Sequence, residues 1–176
     1  MNDEERRILE YLRAQGAKQS PAAVVERVRA AMEEVRAAAG EVPAARFAER
    51  PARDEWSANE VMAHVLSAGT YFGAAIVRVL DGAPAGPGLR EALPGDMPAR
   101  TAEEWWGRLR SDREALFDRV RAADPGARLD ATIEHPFFGP LNWRETLLFM
   151  RLHDLDHAGQ LRNIAAAVAQ RAPGTP

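Results

Sequence analysis

The chain has 176 residues, and 46% of them are apolar, which is enough to bury one continuous core; we therefore expect a single domain over residues 1–176. The formal net charge is −3, and basic residues alternate with acidic ones, so the concentrated positive face that nucleic-acid binding requires is missing. Cysteine is absent, which excludes disulfides, thiolate nucleophiles and cysteine-ligated metal centres.

The amino-terminal region favours a soluble protein. Residues 1–7 are charged and no apolar run follows them, and no later stretch approaches the roughly 20 apolar residues that span a bilayer. We therefore expect a cytoplasmic protein that does not bind membranes. The first predicted element is a short helix from Asp3 to Gln15, ended by Gly16.

The first long helix is predicted from Pro21 to Gly40. Ser20 is a favourable N-cap and proline suits the first helical position. Apolar residues then recur at helical spacing, at Val24, Val28, Met32 and Val35. The connection over residues 41–55 contains two prolines and has no helical periodicity, so we expect it to cross one end of the helices.

The second and third long helices each begin with a capping box, Ser57-Ala58-Asn59-Glu60 and Thr101-Ala102-Glu103-Glu104. We expect the second to end at Asp81-Gly82 and the third before Asp124, with a proline- and glycine-rich loop over residues 83–99 between them. The apolar stripe of the second comprises Val61, His64, Val65, Ala68, Phe72, Ala75, Ile76 and Val79. The corresponding stripe of the third comprises Trp105, Leu109, Leu116, Phe117 and Val120.

The last helix is predicted from the cap at Asn142 to about Gln170. One face carries Thr146, Met150, His153, His157, Gln160, Ile164 and Val168. In the preceding segment, 127–141, the apolar residues alternate, but two prolines and a glycine limit any strand to a short one. Four long amphipathic helices without a strong sheet signal predict an all-α four-helix bundle.

Three of the four histidines lie on inward faces of two predicted helices. His153 and His157 are one turn apart, so both rings leave the same face of the helix. His64 lies in an apolar stripe, where an imidazole is unfavourable unless its nitrogens are satisfied. Each observation alone has an ordinary explanation, a chance surface pair or a hydrogen-bonded core histidine. Together they predict a mononuclear metal site, for which Zn²⁺ or Ni²⁺ is favoured over Fe²⁺ or Mn²⁺.

Two other metal centres fit less well. A di-iron bundle needs Glu-x-x-His pairs, but Glu60 and His64 are four residues apart. The segment His153-Asp154-Leu155-Asp156-His157 superficially resembles the metalloprotease motif, yet Asp154 is shorter than the glutamate base of that motif and no third ligand follows.

The surroundings of the histidines supply further candidates. Asp154 and Asp156 are candidate hydrogen-bond acceptors that orient the imidazoles, with a solvated helix face as the alternative. Gln160 is a candidate pocket residue on the same face. His135, in a predicted loop, either lines the mouth of the pocket or is simply packed or exposed.

Three segments resemble the DinB-like metalloprotein superfamily, a group of damage-inducible proteins unrelated to the DNA polymerase of the same name. The three segments are residues 56–64, the His135-Pro136-Phe137-Phe138-Gly139 loop and residues 142–160. The resemblance covers about residues 20 to 170. It implies an up-down-down-up bundle with one long crossover, homodimers, and a metal bound by His64, His153 and His157.

The resemblance also implies a chemistry. Characterised relatives include thiol S-transferases and isomerases that use bacillithiol, mycothiol or glutathione. The mycothiol-dependent isomerases have a glutamate where this chain has His153, so the chain is more similar to the three-histidine branch. We expect a metal-dependent transferase, or a hydrolase, in which a small thiol or water attacks an electrophile. A non-catalytic dimeric protein with a structural metal or none is the alternative, and a third interpretation makes the histidines plain core residues.

Overall fold

The computed structural model describes residues 2–87 and 97–170. Over these residues the chain forms five α-helices and one short β-hairpin, so the predicted all-α class is confirmed. The helices are α1 (Asp3–Lys18), α2 (Pro21–Glu41), α3 (Ala58–Leu80), α4 (Ala102–Arg121) and α5 (Trp143–Ala169), with a 3₁₀ turn at Ala44–Arg46. The strands are β1 (Ile133–His135) and β2 (Gly139–Leu141). Most of the predicted 83–99 loop and the predicted tail lie outside the described residues.

The helix starts predicted from capping residues are confirmed. In α3, α4 and α5, as in α1, the N-cap side chain accepts a hydrogen bond from a backbone amide in the first turn, and a glutamate three residues on accepts from the N-cap amide. The pairs are Ser57 with Glu60 in α3, Thr101 with Glu104 in α4, and Asn142 with Glu145 in α5. Each such cap stabilises its helix by about 1 kcal/mol. The caps also determine the residue at which each helix begins.

The predicted end of α1 is wrong by a few residues. Gly16 lies inside the helix and is buried, and the helix continues to Lys18. A Cβ atom at Gly16 would lie 3.1 Å from Cγ of Glu145 on α5. This glycine therefore permits a close approach between α1 and α5, and it does not end the helix.

The hairpin lies immediately before α5. Its strands are antiparallel, with His135 opposite Gly139, and Gly139 has a φ of +68°, which favours glycine. The predicted alternation began at Leu129, but Leu129 and Ala131 lie outside β1, so the strand is only three residues long. The turn of the hairpin presents Phe137 and Phe138 beside α5.

The long helices pack against one another around a continuous apolar core. α2 and α3 each contact both α4 and α5, and α1 contacts α5. The apolar positions predicted for the four stripes are buried, for example Val28 in α2, Phe72 in α3, Phe117 in α4 and Val168 in α5. The amphipathic patterns thus identified the inward faces of these helices correctly.

By length and composition, α3 is apolar enough to cross a membrane, although no such stretch was expected from the sequence. More than half of its most apolar window is buried within the protein, against α4 and α5. An apolar helix covered by its own neighbours is typical of the core of a soluble protein. This helix also carries one of the three predicted histidines.

Candidate metal centre

The packing of α3 against α5 brings the three predicted histidines together. The nitrogen atoms that His64, His153 and His157 offer all lie within 4.8 Å of one another. The Nε2 atoms of His64 and His153 are 3.1 Å apart. His64 is buried, and the other two rings are partly buried. Two helices that are distant along the chain therefore build one imidazole cluster.

The spacing of the cluster suits a single ion. Zinc–nitrogen bonds are about 2.0–2.1 Å, so two nitrogens bound to one tetrahedral zinc are about 3.3 Å apart. The separation of 3.1 Å between His64 and His153 is close to this distance. It also permits a hydrogen bond when one of the two rings is protonated at Nε2. Geometry alone thus fits both a metal ligand set and a hydrogen-bonded histidine pair.

Two rings of the cluster have lowered pKa values that are compatible with metal binding. The pKa of His64 is lowered to about 4, first by burial and then by the neighbouring His153 and His157. The pKa of His157 is also lowered, first by burial and then by His153, although Gln160 and nearby carboxylates oppose the shift. Near neutral pH these two rings are neutral, which is the form that binds a metal ion.

Gln160 orients one of the rings. The Nδ1 atom of His157 lies 2.8 Å from Oε1 of Gln160, a distance at which an Nδ1–H group donates to the amide oxygen. That hydrogen bond leaves the lone pair of Nε2 available. The structure therefore places this candidate residue next to the cluster.

Asp154 does not belong to a solvated helix face, and this alternative is wrong. Its side chain is fully buried and pairs with Arg113 of α4, with Nη2 and Oδ1 3.2 Å apart. The Nδ1 atom of His153 is 3.7 Å from the same oxygen, which is too long for a hydrogen bond. Asp156, by contrast, is exposed. The contact that Asp154 makes is therefore with α4.

Arg113 was not identified from the sequence. Its guanidinium is fully buried beneath Gly69 of α3, where a Cβ atom would lie 2.1 Å from Nη1. The available signal was its spacing, four residues after Leu109 and three before Leu116, which puts a charge within the apolar stripe of α4. A buried arginine at such a position requires a buried anionic partner.

His135 is packed, and it does not join the cluster. Its Nδ1 atom accepts hydrogen bonds from the backbone amides of Phe137 at 3.2 Å and Phe138 at 3.3 Å. Its ring stacks with those of Phe72 and Phe138. Burial lowers its pKa to about 4, with a smaller contribution from His153. Of the alternatives drawn from the sequence, burial in the hairpin is the one that the structure supports.

The model of the DinB superfamily matches residues 25–161 of the chain. The chain belongs to the DinB superfamily. All three clustered histidines, both strands and most of α5 lie within the matched region. No curated protein matches the chain. Membership in this superfamily and the clustered histidines both fit metal binding.

In this DinB protein a pocket of about 450 Å³ opens beside the histidines. That volume lies within the range of small-molecule sites. The other lining residues are mostly aromatic or apolar and comprise Ile8, Trp56, Phe137, Phe138, Phe149, Leu152 and Asp156. A second pocket, of about 680 Å³, shares Trp56 and His157 with the first and is also lined by Gln160.

Trp56 lies next to the cluster. It was not assigned to the site from the sequence. Its ring centroid lies 5.0 Å from that of His64 and 6.5 Å from that of His157. The residue precedes the cap of α3 by one position, so the start of that helix fixes both Trp56 and His64. Its place directly before a capping box was the signal in the sequence.

Proposed function

We propose that this DinB superfamily protein binds one divalent metal ion through His64, His153 and His157 and uses it to transfer a small thiol to an electrophile. The observation that carries the proposal is the convergence of three imidazoles beside a pocket of small-molecule size. Zn²⁺ or Ni²⁺ is favoured, with Fe²⁺ and Mn²⁺ as alternatives. An ion held there lowers the pKa of a thiol or water at its open position, making it a better nucleophile.

The chain's own residues prepare the site for this role. Burial keeps the ring of His64 neutral, and the hydrogen bond to Gln160 holds the ring of His157 in one orientation. A ligand set whose rings are neutral and oriented in advance binds a metal with less rearrangement. The pocket beside the rings would give a thiol and an electrophile access to an ion held by the three histidines.

We further propose the up-down-down-up bundle with one long crossover, formed by α2, α3, α4 and α5 as a single cytoplasmic domain that forms homodimers. In two helix pairs, α3 with α4 and α2 with α5, a contact near the start of one helix is made to the start of its neighbour, and a later contact is made to a later residue. This pattern is typical of parallel helices and supports the proposed topology. For α3 and α4 the contacts are Asn59 with Trp105 and Asp81, just after α3, with Arg119. For α2 and α5 they are Gln19, just before α2, with Arg144 and Glu34 with Arg162. Parallel neighbours need a long connection, and residues 81–101 supply it between α3 and α4.

A structural metal is the second candidate. The short distance between His64 and His153 joins α3 to α5, so an ion bound there would also link the two helices. In that case the ion has no exchangeable ligand, and added thiol does not change its surroundings. The two functions therefore differ in a property that can be measured spectroscopically.

Elemental analysis tests the proposal first. The protein is purified without a His tag or added metal, beside the His64→Ala variant, and both are then loaded with Co²⁺. We expect about one equivalent of metal in the wild type, little in the variant, and a change of the Co²⁺ spectrum when a thiol is added. Metal that does not respond to thiol supports the structural alternative. Absence of metal from both proteins would overturn the proposal.

A further inference from the structure

Aromatic side chains form the wall of the pocket that faces the histidines. Phe137 and Phe138 come from the turn of the hairpin, and Phe149 comes from α5 one turn before His153. The ring centroids of Phe138 and Phe149 are 5.8 Å apart, and those of Phe149 and His153 are 5.9 Å apart. The wall is thus continuous from the hairpin to the imidazole cluster.

His135 holds this wall in place. Its Nδ1 atom accepts hydrogen bonds from both amides of the turn, those of Phe137 and Phe138. Its ring also contacts Phe149, with centroids 4.2 Å apart. The hairpin turn is therefore fixed to α5, and the two phenylalanines keep their positions at the pocket.

Phe137 has 52% of its surface exposed, although its backbone amide is hydrogen-bonded to His135. A ligand that covers this exposed ring removes apolar surface from water, which favours binding. Its neighbour Phe138 is buried, so the turn is not simply a loop of exposed residues. The apolar face of Phe137 contributes to the lining of the pocket.

The charges of the lining residues limit which ligands can bind in the pocket. Among the lining residues that the structure describes, Asp156 is the one with a formal charge, and none is arginine or lysine. A carboxylate on the body of a ligand would find no cation in this wall and would be repelled by Asp156. An uncharged ring, in contrast, can stack on the phenylalanine side chains.

We propose that this pocket binds an uncharged aromatic or aryl-alkyl group whose reacting end points toward His64, His153 and His157. This assignment names the substrate class of the proposed transferase and rests on that function for the reacting end. The binding of the ring itself depends only on the aromatic wall. The two parts can therefore fail separately.

The first test follows binding of the ring without any metal. Chelator-treated protein is titrated with 2-phenylethanol and, separately, with phenylacetate, and dissociation constants are measured by ligand-observed NMR. We expect 2-phenylethanol to bind at least about tenfold more tightly, because only phenylacetate carries a carboxylate. Equal affinities, or no saturable binding of 2-phenylethanol, would overturn the proposal.

Two variants locate the binding site. Phe137→Ala is expected to weaken 2-phenylethanol binding roughly threefold to tenfold, as for the loss of one aromatic contact. Leu129→Ala is the matched control, because Leu129 is also a large exposed apolar residue, 37% exposed, but does not line this pocket. The control is expected to keep wild-type affinity. Equal weakening in both variants, or none in Phe137→Ala, would show that 2-phenylethanol does not bind in this pocket and would overturn the proposal.

The second test uses the Co²⁺-loaded protein and compares 2-phenylethanethiol with 2-mercaptoethanol by their effect on the visible spectrum. We expect 2-phenylethanethiol to bind at least about tenfold more tightly, since both thiols reach the ion but only one places a ring on the wall. Equal affinities would overturn the ligand class while leaving the metal site intact. If no Co²⁺ binds, the proposed transferase fails, and the metal-free titration still decides the aromatic pocket.

Discussion

The imidazole cluster and the hairpin histidine are two regions that look alike until the partners of each ring are compared. His64 and His135 are both buried against aromatic rings, and burial lowers the pKa of each to about 4. His135 receives two backbone amides of its own turn at Nδ1, whereas Nε2 of His64 faces Nε2 of His153. Burial and a low pKa are common to both rings, so His64 is the candidate ligand because its nitrogen faces other imidazoles, whereas Nδ1 of His135 is occupied by backbone amides.

The largest expected effect is a difference in metal content between a variant of the cluster and a variant of the hairpin. His153→Ala should lose the metal because two imidazoles alone bind an ion weakly, while helical circular dichroism stays largely intact. His135→Ala should keep about one equivalent of metal. Elemental analysis of both variants is the measurement. Full retention in His153→Ala would eliminate the triad, and loss in His135→Ala would mean that the hairpin supplies a ligand.

The two aspartates between His153 and His157 give the next largest effect. Asp154→Ala leaves the fully buried Arg113 without its partner and should lower the free energy of unfolding by about 3–5 kcal/mol. Asp156→Ala is the matched control and should change it by less than about 0.5 kcal/mol, because Asp156 is exposed. Denaturant unfolding measures both. Similar values for the two variants would contradict a structural role for Asp154.

Removal of the hydrogen bond to His157 tests how far orientation matters in the cluster. Gln160→Leu should weaken metal binding about 10- to 100-fold, as for the loss of other groups that orient a metal-binding histidine. Asn163→Leu serves as the control, since Asn163 lines the same second pocket but makes no described contact with the cluster. Competition with a chelator gives the affinities. An unchanged affinity in Gln160→Leu would show that His157 needs no such orientation.

The smallest expected effect concerns the hairpin. His135→Phe keeps an aromatic ring among Phe72, Phe138 and Phe149 but removes the acceptor for two amides of the turn. We expect a loss of about 1 kcal/mol in the free energy of unfolding, with unchanged metal content. Thermal unfolding and elemental analysis of the same sample measure the two quantities. A larger loss of unfolding free energy, accompanied by release of metal, would show that His135 and the imidazole cluster form one site.

Much of the fold and part of the site could be predicted because their signals are local. The caps at Ser57, Thr101 and Asn142 act within one helical turn, and the position of His64 in an apolar stripe is equally local. The pairing of Arg113 with Asp154 could not be predicted in this way, since the two residues are 41 positions apart and belong to different helices. The contact of Gly16 with Glu145 is of the same kind. Such contacts depend on which helices become neighbours, and no single segment encodes that choice.

The close fit of Gly69 over Arg113 has a consequence for how the sequence can vary. A Cβ atom at position 69 would overlap the guanidinium of Arg113, so that side chain would have to shift, and its ion pair with Asp154 would be disturbed. We therefore expect the effects of substitutions at these three positions on the free energy of unfolding not to be additive. We expect positions 69, 113 and 154 to covary among relatives, and a redesign of the interior would need to replace Arg113 and Asp154 together.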